Sequence, residues 1–220
     1  MNRKYASHRA ASALTPVMLF WVLVLLLCPL LLARPHPGTP ERPLPTFSPQ
    51  AAALVDALPQ GLSPARQAAC ENACRLVGQV GYFWGGKSTA LGWDLRWGQY
   101  QTVTALGSDD TGRRMPFGLD CSGFITWLAV NALGGPAGAS LVGDGARNQY
   151  AACTPISWEE LQPGDLVFFP DLSHVGLALG QDGDGVVTAV HCSRSLGGVV
   201  LSQDAAQTGF SLAARPPWPE

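Results

Sequence analysis

Residues 118–124 read Gly-Leu-Asp-Cys-Ser-Gly-Phe, and downstream of that segment the chain carries only two histidines, His174 and His191. A cysteine nucleophile needs an imidazole to take its proton and a polar group to orient that imidazole. The two remaining histidines, His8 and His36, lie in or beside an N-terminal targeting region, so His174 and His191 are the ones available to a fold. Cys121 falls at the predicted start of a helix, where the positive end of the helix dipole and unpaired amides lower a thiol pKa. The same amides can donate to an oxyanion. Gly118 and Gly123 permit close backbone approach around the cysteine. His174 opens an apolar segment and His191 closes the next one, so the two imidazoles can meet on neighbouring strands, one as base and one as its orienter. Taken singly, a helix-start cysteine reads as a buried structural thiol and either histidine as a satisfied, partly buried ring. The combination favours chemistry.

The elements that must position these groups follow from local pattern. Ser63-Pro64 ahead of Ala65–Val80 is a helix start, with a capping hydroxyl and a proline at the first helical position. Asp120 is an N-cap for a helix over Cys121–Leu133, with Phe124, Ile125, Leu128 and Ala129 as its buried stripe. Ala146–Ala152 reads as a short helix. Leu161-Gln162-Pro163-Gly164-Asp165 is a turn feeding Leu166–Phe169, followed by strands at Val175–Leu179, Val186–Val190 and Val199–Leu201 and a final one at Phe210–Ala213. Helices first and short antiparallel strands afterwards, about five of them, give an α+β class. Between these parts, residues 87–117 form a long Gly-, Ser-, Thr- and Asp-rich segment carrying Trp93, Trp97 and Tyr100. A loop of that length is usually functional or disordered, and its aromatics favour a wall beside a binding groove.

Ahead of the domain, Arg3, Lys4 and Arg9 precede an apolar run over residues 17–33, interrupted by Cys28 and Pro29. A basic head before an apolar run is a secretory signal or membrane anchor, so residues 1–33 are read as a targeting segment and 17–33 as the candidate membrane contact. Residues 34–49 hold six prolines in sixteen positions and read as an extended linker. Residues 50–220 are one domain's worth of chain. The protein is therefore expected outside the cytoplasm, secreted or anchored. A net charge of −2 without a basic stripe argues against nucleic acid.

Cys70, Cys74, Cys153 and Cys192 allow three disulfide pairings, or are four buried small hydrophobes. A zinc site from Cys70, Cys74, His191 and Cys192 is conceivable by ligand type, but Cys-x3-Cys alone is a poor signal, and neither metal nor cofactor is called for. Gly81–Ser88 also satisfies the spacing of a phosphate-binding loop. A helix rather than a strand precedes it and three aromatics fill it, which disfavours that reading.

The motifs Gly118–Phe124, Leu161–Phe169, His174-Val175-Gly176-Leu177 and Ala189-Val190-His191, with Tyr82-Phe83-Trp84-Gly85-Gly86 upstream, together resemble the NlpC-type cell-wall peptidases. Arg147-Asn148-Gln149 falls where members carry an Arg and a Gln before the Pro-Gly-Asp turn. The resemblance covers about residues 65–220. It implies a papain-like fold and a Cys121 nucleophile with His174 as base and His191 as orienter. It also implies an oxyanion contact from the Tyr82 hydroxyl, and Asp120 and Ser122 binding the free amino end of a peptidoglycan stem peptide. The implied reaction is hydrolysis of that peptide, commonly between D-glutamate and the diamino acid. The length of 87–117 departs from compact members, and oligomeric state is not legible. An amidase or acyltransferase on the same fold, and a non-catalytic wall-binding module, are the alternatives.

Overall fold

The computed structural model describes residues 42–219, so the targeting segment expected over 1–33 lies outside the described residues. Residues 42–48 have no regular structure, yet Leu44 and Phe47 pack on the core and the Arg75 guanidinium sits 4.0 Å over the Phe47 ring. The helices that follow are α1 (Pro49–Asp56) and α2 (Pro64–Leu76). Proline starts α2 as expected, but Ser63 makes no capping bond and its hydroxyl is buried without a partner. The helix also stops at Leu76, four residues short of the reading from pattern, because Val77 turns extended and the Gly78 amide bonds to Val199 O.

Residues 87–117 fold into turns around a two-stranded ribbon, β1 (Tyr100–Thr102) with β2 (Arg114–Pro116). Trp93, Trp97 and Trp127 form a chain of edge-to-face contacts, with centroids 4.9 and 5.5 Å apart, that fastens this segment to the next helix. That helix is α3 (Cys121–Ala132); two short ones follow, α4 (Ala137–Val142) and α5 (Ala146–Ala152).

The main sheet has six strands where the turn spacing indicated about five. In chain order they are β3 (Thr154–Ile156), β4 (Leu166–Phe168), β5 (Val175–Gln181), β6 (Val187–Ser193), β7 (Gly198–Ser202) and β8 (Leu212–Arg215), with a short helix α6 (Ala205–Thr208) before the last. All neighbours are antiparallel, in the order β3-β8-β4-β5-β6-β7. The extra member is β3, a three-residue edge strand that contains Pro155, a residue strand propensity discounts. Alternation sends Val175, Leu177, Val190 and Cys192 into one core with Phe124, Ile125 and Leu128 of α3. Val167, Ala178, Val187 and Ala189 pack with Phe210 and Ala213 in a second, smaller core. The Pro163-Gly164-Asp165 turn is an anchor. The fully buried Asp165 carboxylate takes Arg66 of α2 and Arg215 of β8, each at 2.9 Å, and Trp218 Nε1 donates to Gly164 O. The expected α+β class is the one observed.

Candidate active site

Asp120 caps α3 as anticipated: its carboxylate accepts from the Gly123 amide at 2.6 Å, which fixes the first turn and presents Cys121. That turn is pinned from outside by residues 81–86. Phe83 N donates to Leu119 O, Leu119 N to Gly81 O and Asp120 N to Gly86 O, at 2.9–3.1 Å. A Cβ on Gly118 would lie 1.9 Å from Gly81 O, and one on Gly123 would lie 1.9 Å from Gly86 O. The two glycine-bearing motifs are thus one packing unit, with Tyr82 bridged to Leu119 beside the cysteine. From below, the buried Gln149 amide donates to Ser122 O at 2.9 Å.

The histidines sit together on the sheet. His174 directly precedes β5, and His191 lies within β6 rather than at its end. Leu177 pairs with Val190, so the antiparallel register sets Gly176 beside His191 and His174 two residues further along the same face. His174 Nε2 lies 2.8 Å from His191 Nδ1, and His191 Nε2 lies 2.9 Å from Ser202 Oγ. Of the two tautomer assignments that satisfy this chain, one leaves a base free. In it His174 Nε2–H donates to His191 Nδ1, and His191 Nε2–H donates to Ser202 Oγ. The lone pair of His174 Nδ1 is then left to take a proton. Phe210 stacks on His174 at 5.5 Å and meets His191 edge-on at 5.3 Å, while Phe169 closes on His174 at 4.9 Å.

Cys121 lines the same cavity as this pair. The backbone amides of Ser122 and Val175, one residue after His174, favour negative charge on its sulfur. The site lies where two cavities meet, both lined by Tyr82, Trp84, Cys121 and Ser173. The larger, of about 710 Å³, holds the histidines; the smaller, of about 390 Å³, holds Lys87, Asp120 and Ser122. The 87–117 segment does supply a wall: Ala105 and Leu106 line the smaller cavity, and Trp84 Nε1 donates to Leu106 O at 3.0 Å.

The electrostatics correct one expectation. Burial, then the Asp120 carboxylate, push the Cys121 thiol up to about 11, against the lowering effect of Lys87 and the two amides. Helix position does not by itself yield a thiolate, since desolvation outweighs it. Burial also pushes the Tyr82 hydroxyl up, so it stays a donor. Burial lowers both imidazoles, His174 and His191, to about 4. The resting site is a neutral thiol beside a neutral imidazole pair.

That pair links stability to acid. An unfolded histidine takes its proton near 6.5 and the folded ones near 4, so their contribution is whole above pH 6.5 and is lost as pH falls toward 4. Its size is on the order of 3 kcal/mol for each histidine. Urea unfolding at pH 7, 5.5 and 4 should show that loss, and the double variant His174→Asn, His191→Asn should flatten it. An unchanged slope in the double variant would place the acid sensitivity elsewhere.

The described cysteines Cys70, Cys74, Cys153 and Cys192 are buried free thiols, and Cys192 Sγ donates to Leu119 O at 3.1 Å. Among the described residues no cluster of three or more His, Cys, Asp or Glu is placed to hold a metal, and no helix is long and apolar enough to cross a membrane. Three participants escaped reading from sequence. Ser202 is a diagonal cross-strand neighbour of His191, visible only once register is known. Phe210 comes from beyond β7. Lys87, the chain's only lysine besides Lys4, reaches Asp120 and Ser122.

A helix-borne cysteine set against a histidine-bearing antiparallel sheet is a papain-like layout, the class of the thiol hydrolases. The chain belongs to the NlpC/P60 family, whose model matches residues 79–194. A curated relative described as a probable endopeptidase p60, from Listeria grayi, is 43% identical over 72 residues, 31% of this chain and 13% of that protein's length. Among solved structures, the peptidoglycan hydrolase RipB from Mycobacterium tuberculosis is 25% identical, with 77% of this chain and 72% of that one covered at a TM-score of 0.48. RipD from the same organism, described as a non-catalytic NlpC/p60 domain protein adapted to peptidoglycan binding, is 17% identical, with 70% and 98% covered at a TM-score of 0.48.

Proposed function

We propose that the protein is an extracytoplasmic cysteine endopeptidase that hydrolyses peptidoglycan stem peptides at the D-glutamyl–diamino acid bond. The observation that carries the reading is the unbroken chain from His174 through His191 to Ser202, set beside a half-buried cysteine at a helix N-terminus. A binding module has no use for that arrangement. In this reading residues 1–33 direct export or anchor the protein, and the domain from residue 50 does the chemistry.

The first step moves the Cys121 proton to His174 Nδ1 as the sulfur attacks the peptide carbonyl carbon. The imidazolium that forms is oriented by His191 and Ser202. Negative charge on the carbonyl oxygen is met by amides at the start of α3 and by the Tyr82 hydroxyl. His174 then gives its proton to the departing amine, leaving a thioester on Cys121. A water molecule, losing its proton to the same nitrogen, releases the acid and restores the thiol. Digestion of defined muropeptides tests this. The wild type should yield two fragments whose summed mass exceeds the substrate by one water, while Cys121→Ala should leave the substrate whole. Cleavage by Cys121→Ala would sink the proposal.

A further inference from the structure

The smaller cavity beside Cys121 contains a cradle for an ammonium group, and the protein fills it with its own. Lys87 Nζ lies 2.7 Å from Asp120 Oδ1, 2.5 Å from Ser122 Oγ and 3.2 Å from Asp144 Oδ1. Three acceptors match the three protons of an ammonium, so its hydrogen-bonding capacity is filled. The placement is built in. Gly86 O accepts from the Asp120 amide, and the Lys87 stem lies so close over the first turn of α3 that a Cβ on Gly123 would sit 3.1 Å from Lys87 Cδ. Only 31% of the lysine side chain is exposed, and the Asp120 side chain only 11%. The other charged group on this wall is Arg147, a second cation. Around them Trp84, Ala105 and Leu106 supply apolar surface.

We infer that Lys87 makes this enzyme selective for stem peptides whose nitrogen at this subsite is acylated, and against peptides ending there in a free ammonium; the inference rests on the reading of the cavity as a stem-peptide site. A free amino end could use Asp120 and Ser122 only by expelling a tethered competitor. The tether gives that competitor an effective concentration on the order of millimolar or above, which the ligand must overcome. It would also add a third cation to a wall where two carboxylates, Asp120 and Asp144, already balance Lys87 and Arg147. An amide nitrogen carries no charge, displaces nothing, and lets its acyl group lie on Trp84 and Leu106. The substrate is then a stem still joined to the group that acylates it, rather than a trimmed peptide.

The test measures binding on the Cys121→Ala protein, which holds substrate uncleaved, using one stem peptide with a free amino end and the same peptide acetylated there. The acetylated form should bind at least tenfold tighter. In Cys121→Ala with Lys87→Met, which keeps the stem and removes the charge, the preference should reverse in favour of the free amine. A free-amine preference without the Lys87 substitution, or a ratio that Lys87→Met leaves alone, overturns the inference. An amine-reactive ester gives a second reading that needs no peptide. Lys87 should acylate at least tenfold slower than a free lysine amine, and acylation at the free rate would mean the cradle is not closed. If neither peptide binds while Lys87 stays protected, it is the stem-peptide reading of the cavity, and the selectivity with it, that falls.

Discussion

His174→Ala is expected to lower peptide hydrolysis by roughly 10³- to 10⁴-fold and to silence Cys121 toward iodoacetamide at neutral pH. Burial pushes the Cys121 thiol up to about 11, so with no group to take its proton only about one molecule in 10⁴ would be a thiolate at pH 7. An ordinary cysteine has a few per cent. In the proposed reaction the proton leaves to His174, so that thiolate and imidazolium form as a pair and the Ser122 and Val175 amides favour the sulfur's charge. Mass-resolved alkylation over time reads this directly, and the other described cysteines, being buried, give little background. His191→Asn keeps the base but loosens its aim, so its loss should be far smaller. If Cys121 alkylates as fast in His174→Ala as in wild type, His174 is not its base.

Gly123→Ala should destabilise the protein by more than about 3 kcal/mol, against what helix propensity says, since alanine inside a helix is favoured over glycine by about 1 kcal/mol. The sterics decide. The new Cβ would stand 1.9 Å from Gly86 O, a backbone atom that cannot swing aside. To make room, residues 81–86 must back away, giving up the Asp120 N to Gly86 O bond and the alignment of Tyr82 and Lys87. Gly135→Ala is the control, because nothing lies within 4 Å of its Cβ position. Chemical denaturation of the two variants should separate them clearly. A Gly123→Ala protein as stable as wild type would mean the 81–86 segment does not press on α3.

Much of the site was legible because it is local. An aspartate ahead of an apolar helical stripe is a favoured N-cap, and that local signal puts Cys121 in the first turn of α3. The apolar runs around His174 and His191, punctuated by glycine and aspartate, read as strands and are strands. What escaped depends on partners distant in sequence. β3 pairs with β8 across about sixty residues and has no strong pattern of its own, while the final strand read at Phe210–Ala213 forms two residues later, at Leu212–Arg215. Ser63 looks like a cap but its hydroxyl is turned into the protein. The thiol's environment was misjudged for the same reason: the helix end is visible in sequence, whereas the desolvating neighbours come from other segments. Lys87 was noticed as part of a phosphate-loop spacing, and its contact with Asp120 appears only when residues 81–86 lie against α3.

The position of β8 has a consequence for the life of the chain. The strand is last in sequence but lies between β3 and β4, and Phe210, which packs on both histidines, arrives just before it. Long-range strand pairing of this kind is slow and must await its final member. While the protein is being made, β4 has no β8 neighbour, Asp165 lacks Arg215, and His174 and His191 are without the ring that holds them. A site assembled this way is complete only when the nascent polypeptide has delivered its closing strand.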